Sequence, residues 1–301
     1  MSISSPNRII TATDFKNIMR VGDTSQDTIL GRVLPGALRA LERYCNRKFC
    51  EYEEEAFSVY CNDTGSVSAA TVTVTESTLT LVNTGGDNAG TNTLTLADAA
   101  NDTLTELVAV IEALDGWTAT ISSSATGTAS STELTPAAAQ SCIGSANAVT
   151  LGYRVDITEY FDGDGKTRLW PQYIPLISVT SLYDDTDRTF TDSNDALDDD
   201  DYALFDDYLQ LVDNNTFNVD TKNIRLIYRG GYTPAQLDDD ERSDLRLAAA
   251  QYVNYIMQQI STGPVQAQVD IDGMVQRPLF FGPIPAMVRA LLEPYKRKVF
   301  F

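Results

Sequence analysis

Arg154-Val-Asp-Ile-Thr-Glu-Tyr-Phe-Asp-Gly-Asp-Gly-Lys166 opens the stretch on which the reading of this chain turns. It continues through Leu169-Trp-Pro171 and Ile174-Pro-Leu-Ile-Ser-Val-Thr-Ser-Leu-Tyr183, and closes with Asn223-Ile-Arg-Leu-Ile-Tyr-Arg-Gly-Gly-Tyr232 just before Pro234. Each piece alternates apolar and polar residues between Gly, Asp or Pro, the period of strands with one buried face. The stretch is expected to form a small antiparallel β layer. Helical patterns flank it, Asp27 to Asn46 before and Glu241 to Ile260 after. The fold class expected is therefore α+β, a helical bundle with a small β layer.

In the first helical pattern Leu30, Leu34, Ala37, Leu38, Leu41 and Cys45 recur at helical spacing. Thr24 or Ser25 is placed to cap it, and Asp27 suits the positive end of the helix dipole. Pro35-Gly36 falls inside the pattern, which predicts a kink or a break into two helices. Arg32, Arg39, Arg43, Arg47 and Lys48 would give the helix a basic outer side. A solvated face explains that most simply; a contact with nucleic acid or with an acidic protein are the sharper readings. In the last third, Leu245, Ala248, Ala249, Tyr252, Ile256 and Ile260 form an apolar stripe that should pack on the first helix, with Gly263-Pro264 as its stop.

The segment from 49 to 153 changes character. It holds thirteen acidic residues and no Lys or Arg. Thr71-Val-Thr-Val-Thr75, Thr78-Leu-Thr-Leu-Val82, Thr93-Leu-Thr-Leu96 and Trp117-Thr-Ala-Thr-Ile121 read as strands. Leu104, Leu107, Val108, Ile111 and Leu114 mark one amphipathic helix, capped by Asp102 or Thr103 and stopped by Gly116. These elements predict a small inserted α+β domain over 62–152. Its Ser and Thr content raises the alternative of a carbohydrate- or surface-binding module, for which Trp117 is the one aromatic platform in the segment.

Three features have a chemical look. Asp162-Gly-Asp-Gly-Lys166 begins like a calcium loop, but Lys166 and Arg168 stand where further ligands would be needed, and the next acid is Asp184. A Gly-rich turn between strands is the expected outcome. Asp198-Asp-Asp-Asp201 and Asp184-Asp185 supply paired carboxylates, yet acid–base catalysis needs two environments that drive two pKa values apart, and a run of aspartates in one loop supplies a single solvated one. Scattered carboxylates leave a glycosidase open on composition alone. The four cysteines, Cys45, Cys50, Cys61 and Cys142, lack CxxC spacing and are expected as reduced, mostly buried thiols, with a Cys61–Cys142 bridge as the alternative.

The whole chain has 301 residues, 42 acidic against 22 basic, no histidine and a net charge of −20. That length suits roughly two domains at ~150 residues each. Affinity for DNA comes from Lys and Arg neutralising phosphates, so this balance points away from a nucleic-acid-seeking surface. A zinc site would need thiolates and carboxylates alone. Neither a signal peptide nor a membrane span is expected, because Met1-Ser-Ile-Ser-Ser-Pro is not followed by an apolar run and no ~20-residue apolar stretch occurs. Residues 265–283 lack periodicity, carry Asp270 and Asp272, and read as a long loop. Pro285 starts a short helix through Leu291 and Leu292. The tail Tyr295-Lys-Arg-Lys-Val-Phe-Phe301 ends in two aromatics, whose apolar area gains ~25 cal/mol per Å2 on burial, so it should dock on its own domain or on a neighbour.

The helix end Glu42-Arg-Tyr-Cys-Asn-Arg-Lys-Phe49, the Glu159-Tyr-Phe-Asp-Gly163 turn, the Pro175-Leu-Ile-Ser-Val179 strand, the Arg225-Leu-Ile-Tyr-Arg-Gly-Gly-Tyr232 strand-turn and the long helix after it occur in an order that resembles the head-to-tail connector (adaptor, head completion) proteins of tailed bacteriophages. The resemblance covers about 15–61 and 153–301, and implies a connector domain over 1–61 and 153–301 carrying the 62–152 insertion. It implies a structural virion protein without catalytic residues, cofactor or metal, located in the neck and assembled in the host cytoplasm. Its partners would be the portal protein, a neck or tail completion protein, further copies in a ring of about twelve, and the major capsid protein through the insertion. DNA would pass through the ring without specific binding. On this reading Tyr295, Lys296, Arg297, Lys298, Phe300 and Phe301 are candidates for docking on the portal or a neighbour, and Asp198, Asp199, Asp200, Asp201, Asp270 and Asp272 for acidic loops facing the channel. A negative wall repels phosphate and lets DNA slide.

Overall fold

The alternation read over 154–234 becomes strands in the computed structural model, which describes residues 8–22, 24–237, 243–261 and 284–297. The chain opens with α1 (Ala12–Met19) and α2 (Asp27–Cys45). Then come β1 (Glu53–Cys61), β2 (Gly65–Val74), β3 (Thr78–Gly86), β4 (Gly90–Thr95), α3 (Leu104–Glu112), β5 (Trp117–Ile121), β6 (Ala137–Ser141) and β7 (Val149–Arg154). The central stretch forms β8 (Ile157–Gly163), β9 (Arg168–Leu169), β10 (Leu176–Asp184), β11 (Ala196–Leu197), β12 (Tyr202–Leu204), β13 (Leu209–Leu211) and β14 (Asp220–Gly230). Helices α4 (Pro234–Leu237), α5 (Ser243–Ser261) and α6 (Ala286–Leu292) follow.

Among the described residues more lie in strands than in helices, so the expectation of a helical bundle is corrected: they form a β-rich α+β structure with four small antiparallel sheets. The bundle reading failed because it weighed the two long amphipathic helices and undercounted short strands, seven of which lie before residue 155. None of the helices in the described residues is long and apolar enough to cross a membrane.

Two compact units divide the chain. Among the described residues the first holds 51–158 and 227–229; the second holds 8–50, 159–226 and, from 230 on, 230–237, 243–261 and 284–297. In the first unit β1 is the middle strand of a three-stranded sheet, β5-β1-β7, and β4-β3-β2-β6 form a four-stranded one. Inward-facing residues of both sheets, such as Phe57, Val59, Val72, Leu79 and Leu81, share one core with Leu104, Leu107 and Ile111 of α3. The expected cap of α3 is present: Thr103 and Glu106 form a reciprocal capping box. Strand β6 was not anticipated, because Ala-Ala-Ala-Gln-Ser carries neither β-branched residues nor an apolar alternation. Arg154 and Arg229 supply the cations that the acidic segment lacks. The Arg154 guanidinium meets Glu76 at 3.2 Å and Glu133 at 3.6 Å, while Arg229 meets Glu133 at 2.7 Å and Asp156 at 3.0 Å.

In the second unit, α2 and α5 share a core with α1 and α6, built from Phe15, Leu30, Leu34, Leu38, Leu41, Leu245, Ala249, Val253 and Leu292 among others. Of the kink or break expected at Pro35, the break does not occur, and α2 runs from Asp27 to Cys45 as one helix. A proline inside a helix costs ~3 kcal/mol. Leu30, Leu34, Leu38 and Leu41 are all buried, each worth about 1.5–3 kcal/mol, and together they outweigh that cost. Gln26, rather than Thr24 or Ser25, stands at the N-cap, without a side-chain cap. At the other end Asn46 takes the left-handed conformation (φ 52°) that closes the helix. On α5 the buried row is Leu245, Ala249, Val253 and Met257, with Ala248 and Ala250 beside it, whereas Ile260 is exposed. The stripe is thus turned from the expected one, following a strict i, i+4 row that Tyr252 and Ile256 only flank.

The single β layer expected for the central stretch is two sheets. One has the order β11-β10-β14-β8 and lies mostly in the second unit; the other is the small β12-β13-β9 sheet. Leu182, Leu209, Leu211, Ile224 and Leu226 face inward from them.

Candidate functional site

The residues that carried the resemblance to connector proteins meet in one place within the second unit. Beyond the left-handed Asn46, Lys48 donates its backbone N–H to the Gln172 carbonyl at 2.8 Å, and the Phe49 carbonyl accepts from Tyr232 N–H at 2.7 Å. Gly231 N–H donates to the Pro175 carbonyl at 2.9 Å. A side chain at Gly230 would overlap the Tyr173 carbonyl, so this glycine is needed for the close approach of two backbones. Gln172 N–H also reaches the Glu159 carboxylate at 3.3 Å. The helix end, the strand from Pro175 and the Gly-Gly strand-turn are therefore tied by main-chain bonds, and the turn at 159–163 joins them through the Glu159 side chain.

Arg47 sits at the centre of this knot. Sequence reasoning assigned it to the outer side of α2, but it is only 7% exposed. It lies past the C-cap, outside the helical register on which the assignment relied. Its guanidinium donates from Nη2 to the Ile174 carbonyl at 2.7 Å and from Nη1 to the Tyr295 carbonyl at 3.3 Å, and it lies 5.0 Å from the centre of the Phe49 ring. Its Nε has no hydrogen-bond partner among the described residues. Burial lowers the guanidinium from its ordinary value, opposed by Tyr232 and by Asp207. Arg32, Arg39 and Arg43 are exposed as expected.

Of the residues expected to dock on a portal or neighbour, Tyr295, Lys296 and Arg297 pack against the end of α2. The Tyr295 ring meets Phe49 edge-on with centroids 6.1 Å apart, Lys296 lies 5.1 Å from the centre of the Tyr44 ring, and Arg297 N–H donates to the Cys45 carbonyl at 2.9 Å. The Arg297 side chain also donates to the Trp170 carbonyl. Lys298, Phe300 and Phe301 lie outside the described residues, as do Asp270 and Asp272. Beside Arg47 opens a cleft of about 150 Å3 lined by Glu42, Arg43, Asn46, Arg47, Lys48 and Gln172. One of its cations is already paired, Lys48 Nζ lying 2.8 Å from the Glu42 carboxylate.

The acidic run Asp198–Asp201 forms a tight turn between β11 and β12. Asp201 N–H donates to the Asp198 carbonyl at 2.9 Å, and the Asp201 carboxylate accepts from Asp198 N–H at 2.8 Å. Asp199 accepts from the buried Tyr202 hydroxyl at 2.7 Å. Burial first, and then Asp199, push that hydroxyl well above the ordinary tyrosine range. Asp198, Asp199 and Asp200 are exposed and edge an open groove of about 550 Å3 on β10 and β11. Asp185, by contrast, is 2% exposed and organises a loop: its carboxylate accepts from Asp187 N–H at 2.7 Å, Thr189 N–H at 2.8 Å and Phe190 N–H at 2.7 Å.

Asp162-Gly-Asp-Gly is a turn whose acids are spent within the chain. Asp162 accepts from Lys222 N–H at 2.8 Å, and Asp164 accepts from Lys166 N–H at 3.0 Å and pairs with Lys166 Nζ at 3.0 Å. Among the described residues no group of three or more His, Cys, Asp or Glu converges as a metal site. All four cysteines are free thiols; Cys45, Cys61 and Cys142 are buried and Cys50 is half-buried. Burial pushes the Cys45 and Cys142 thiols up to about 11. Trp117 is 3% exposed and belongs to the core of the first unit, so it is not the surface platform that the sequence suggested. Comparison with protein-family models and with curated proteins finds no match to the chain.

Proposed function

We propose that this chain is a head-to-tail adaptor of a tailed bacteriophage, a structural virion protein that forms a ring below the portal, extends the DNA channel and offers a platform for the next neck or tail component. The observation that carries the reading is the knot around Arg47. Four short motifs resembling those of connector proteins come together there: backbone hydrogen bonds join the helix end and the Pro175 strand to the Gly-Gly strand-turn, and the Glu159 carboxylate reaches the helix end through Gln172. A chance likeness of short motifs gives no reason for them to meet.

The charge fits the same role. With a net charge of −20 the chain repels the phosphate backbone, and the rigid Asp198–Asp201 turn is the described feature best suited to a non-stick channel wall. The insertion, which the compact connector pattern lacks, is assigned to contacts with the capsid shell or a neighbouring subunit. The test is co-sedimentation of the purified chain with the portal protein of the same phage. Saturable binding at one copy per portal subunit supports the adaptor; a chain that stays at the top of the gradient with every portal preparation excludes it.

A further inference from the structure

We infer that the insertion joins neighbouring copies of this chain edge to edge, β4 of one copy pairing antiparallel with β6 of the next. The inference rests on the ring reading above for its closure and gives the insertion a second copy of the chain as its partner.

The first unit contains its own comparison. In the β5-β1-β7 sheet both outer edges are covered from within the chain. Ala119 N–H of β5 donates to the Glu112 carboxylate of α3. On β7 the Gly152 carbonyl accepts from Thr135 N–H at 2.9 Å, beside a bridge between Leu134 and Tyr153. The β4-β3-β2-β6 sheet ends in two strands without such cover. Leu96 N–H donates to the Ser77 carbonyl at 2.9 Å with Thr95 opposite Thr78, so the even-numbered residues of β4 turn toward β3 while Thr91 and Thr93 turn outward. In β6, Cys142 N–H donates to the Ala70 carbonyl at 3.0 Å with Ser141 opposite Thr71, which turns Ser141 outward. Thr91, Thr93 and Ser141 are exposed, and no hydrogen bond from another described element reaches their outer side.

An open edge invites another strand, and monomers blunt theirs with charges, prolines, bulges or very short strands. β4 has none of these: its six residues are uncharged, include no proline and pair with β3 without a register shift. β6 is also uncharged and carries one bulge, between Ala137 and Gln140, which confines pairing to its Ser141 end.

Topology names the occupant. β4 and β6 are the two ends of one sheet and so lie on opposite sides of it, as a head-to-tail contact requires. Every neighbouring pair in the sheet is antiparallel, and with four strands β4 and β6 run in opposite directions. A neighbour turned only about the ring axis therefore lays its β6 antiparallel to β4; an odd number of strands would make the contact parallel. Thr91, Val82, Thr71 and Ser141 stand opposite one another in a row across the sheet. Ser141 of the next copy beside Thr91 extends that row by one place. A two-fold contact of β4 with β4 would close a dimer and leave β6 bare. The insertion carries nine acidic residues and no basic one over 62–152, so neighbouring insertions repel, and the contact strengthens as salt screens them.

The experiment is disulfide trapping in the full chain, alone and with the portal. Thr91→Cys and Ser141→Cys within one copy stand three strand spacings apart, about 14 Å, too far to bridge. Across the contact the same two positions form a hydrogen-bonded pair with Cα atoms ~5.5 Å apart, within disulfide range. Oxidation of the double variant with diamide is expected to give a series of covalent oligomers beyond the dimer, about tenfold or more above wild type and stronger at ~1 M than at ~0.1 M salt. Adding Thr93→Pro removes an outward N–H, spares the bonds to β3 and should reduce the series about tenfold with unchanged circular dichroism. Dimers from Thr91→Cys alone overturn the inference in favour of the two-fold contact. Co-sedimentation with the portal without covalent oligomers overturns it and leaves the adaptor reading standing. Covalent oligomers from a chain that binds no portal support the edge contact and overturn the adaptor; neither result overturns both.

Discussion

Gly163 donates its backbone N–H to the Oδ1 of Asn223 at 2.8 Å, and this bond fixes what the Asp162-Gly-Asp-Gly turn can be. Asn223 is fully buried and also donates from Nδ2 to the Asp184 carboxylate at 2.7 Å and to the Asn218 carbonyl at 2.9 Å. A Cβ on Gly163 would overlap the Asn218 carbonyl. The turn is thus a clasp between β8 and β14, with no freedom to wrap a cation.

Breaking the clasp should be expensive. Asn223→Ala leaves several buried polar groups without partners at ~1–3 kcal/mol each, so a loss of about 3 kcal/mol or more is expected in urea unfolding. Gly163→Ala should destabilise comparably by overpacking. Added calcium should leave the melting temperature of the wild-type chain unchanged; a rise at millimolar calcium would refute the account of this turn.

Pro35 lies inside an unbroken α2, so Pro35→Ala restores a backbone donor and relieves the ring clash. A gain of roughly 1–3 kcal/mol is expected, measured as an increased urea midpoint at constant slope. A destabilised variant would mean that the proline ring contributes to the packing of α2.

The Asp185 loop sets a pH dependence. Hydrogen bonds from Phe190 N–H foremost, and also from Asp187 and Thr189, hold its carboxyl below the usual carboxylate range against the opposing effect of burial. A group depressed in the folded state contributes stability above its unfolded pKa, near 4, and loses it as pH falls through the folded value. Asp185→Asn should therefore lower the melting temperature at pH 7, and the difference from wild type should shrink as the pH drops below 4. An equal difference at pH 7 and pH 3 would show that ionisation is not involved.

Thiol labelling tests the cysteine assignments. At pH 8 the half-buried Cys50 should react with an alkylating reagent first, while Cys45 and Cys142, buried and pushed up to about 11, should react only on unfolding. Denatured protein prepared without reductant should yield four thiols. Two would indicate the Cys61–Cys142 bridge.

Long-period signals were the legible part of the sequence. The apolar rows of α2 and α3 fall where the spacing of Leu30, Leu34, Leu41, Leu104 and Leu107 put them, because burial of a full helix face dominates local preferences. β6 escaped notice because its three alanines look the same in strand, helix or loop. Arg47 escaped for another reason: its environment is made by Ile174, Tyr232 and Tyr295, all more than a hundred residues away, and no local pattern carries that information. The Gly230-Gly231 pair was the one local hint, since paired glycines mark places where backbones approach closely.

Cryo-electron microscopy of the purified chain mixed with its portal tests the central claim most directly. The account predicts a ring stacked coaxially on the portal, with the Asp198–Asp201 turn facing the channel. Persistent monomers beside bare portals, at protein concentrations far above those of virion assembly, would contradict it.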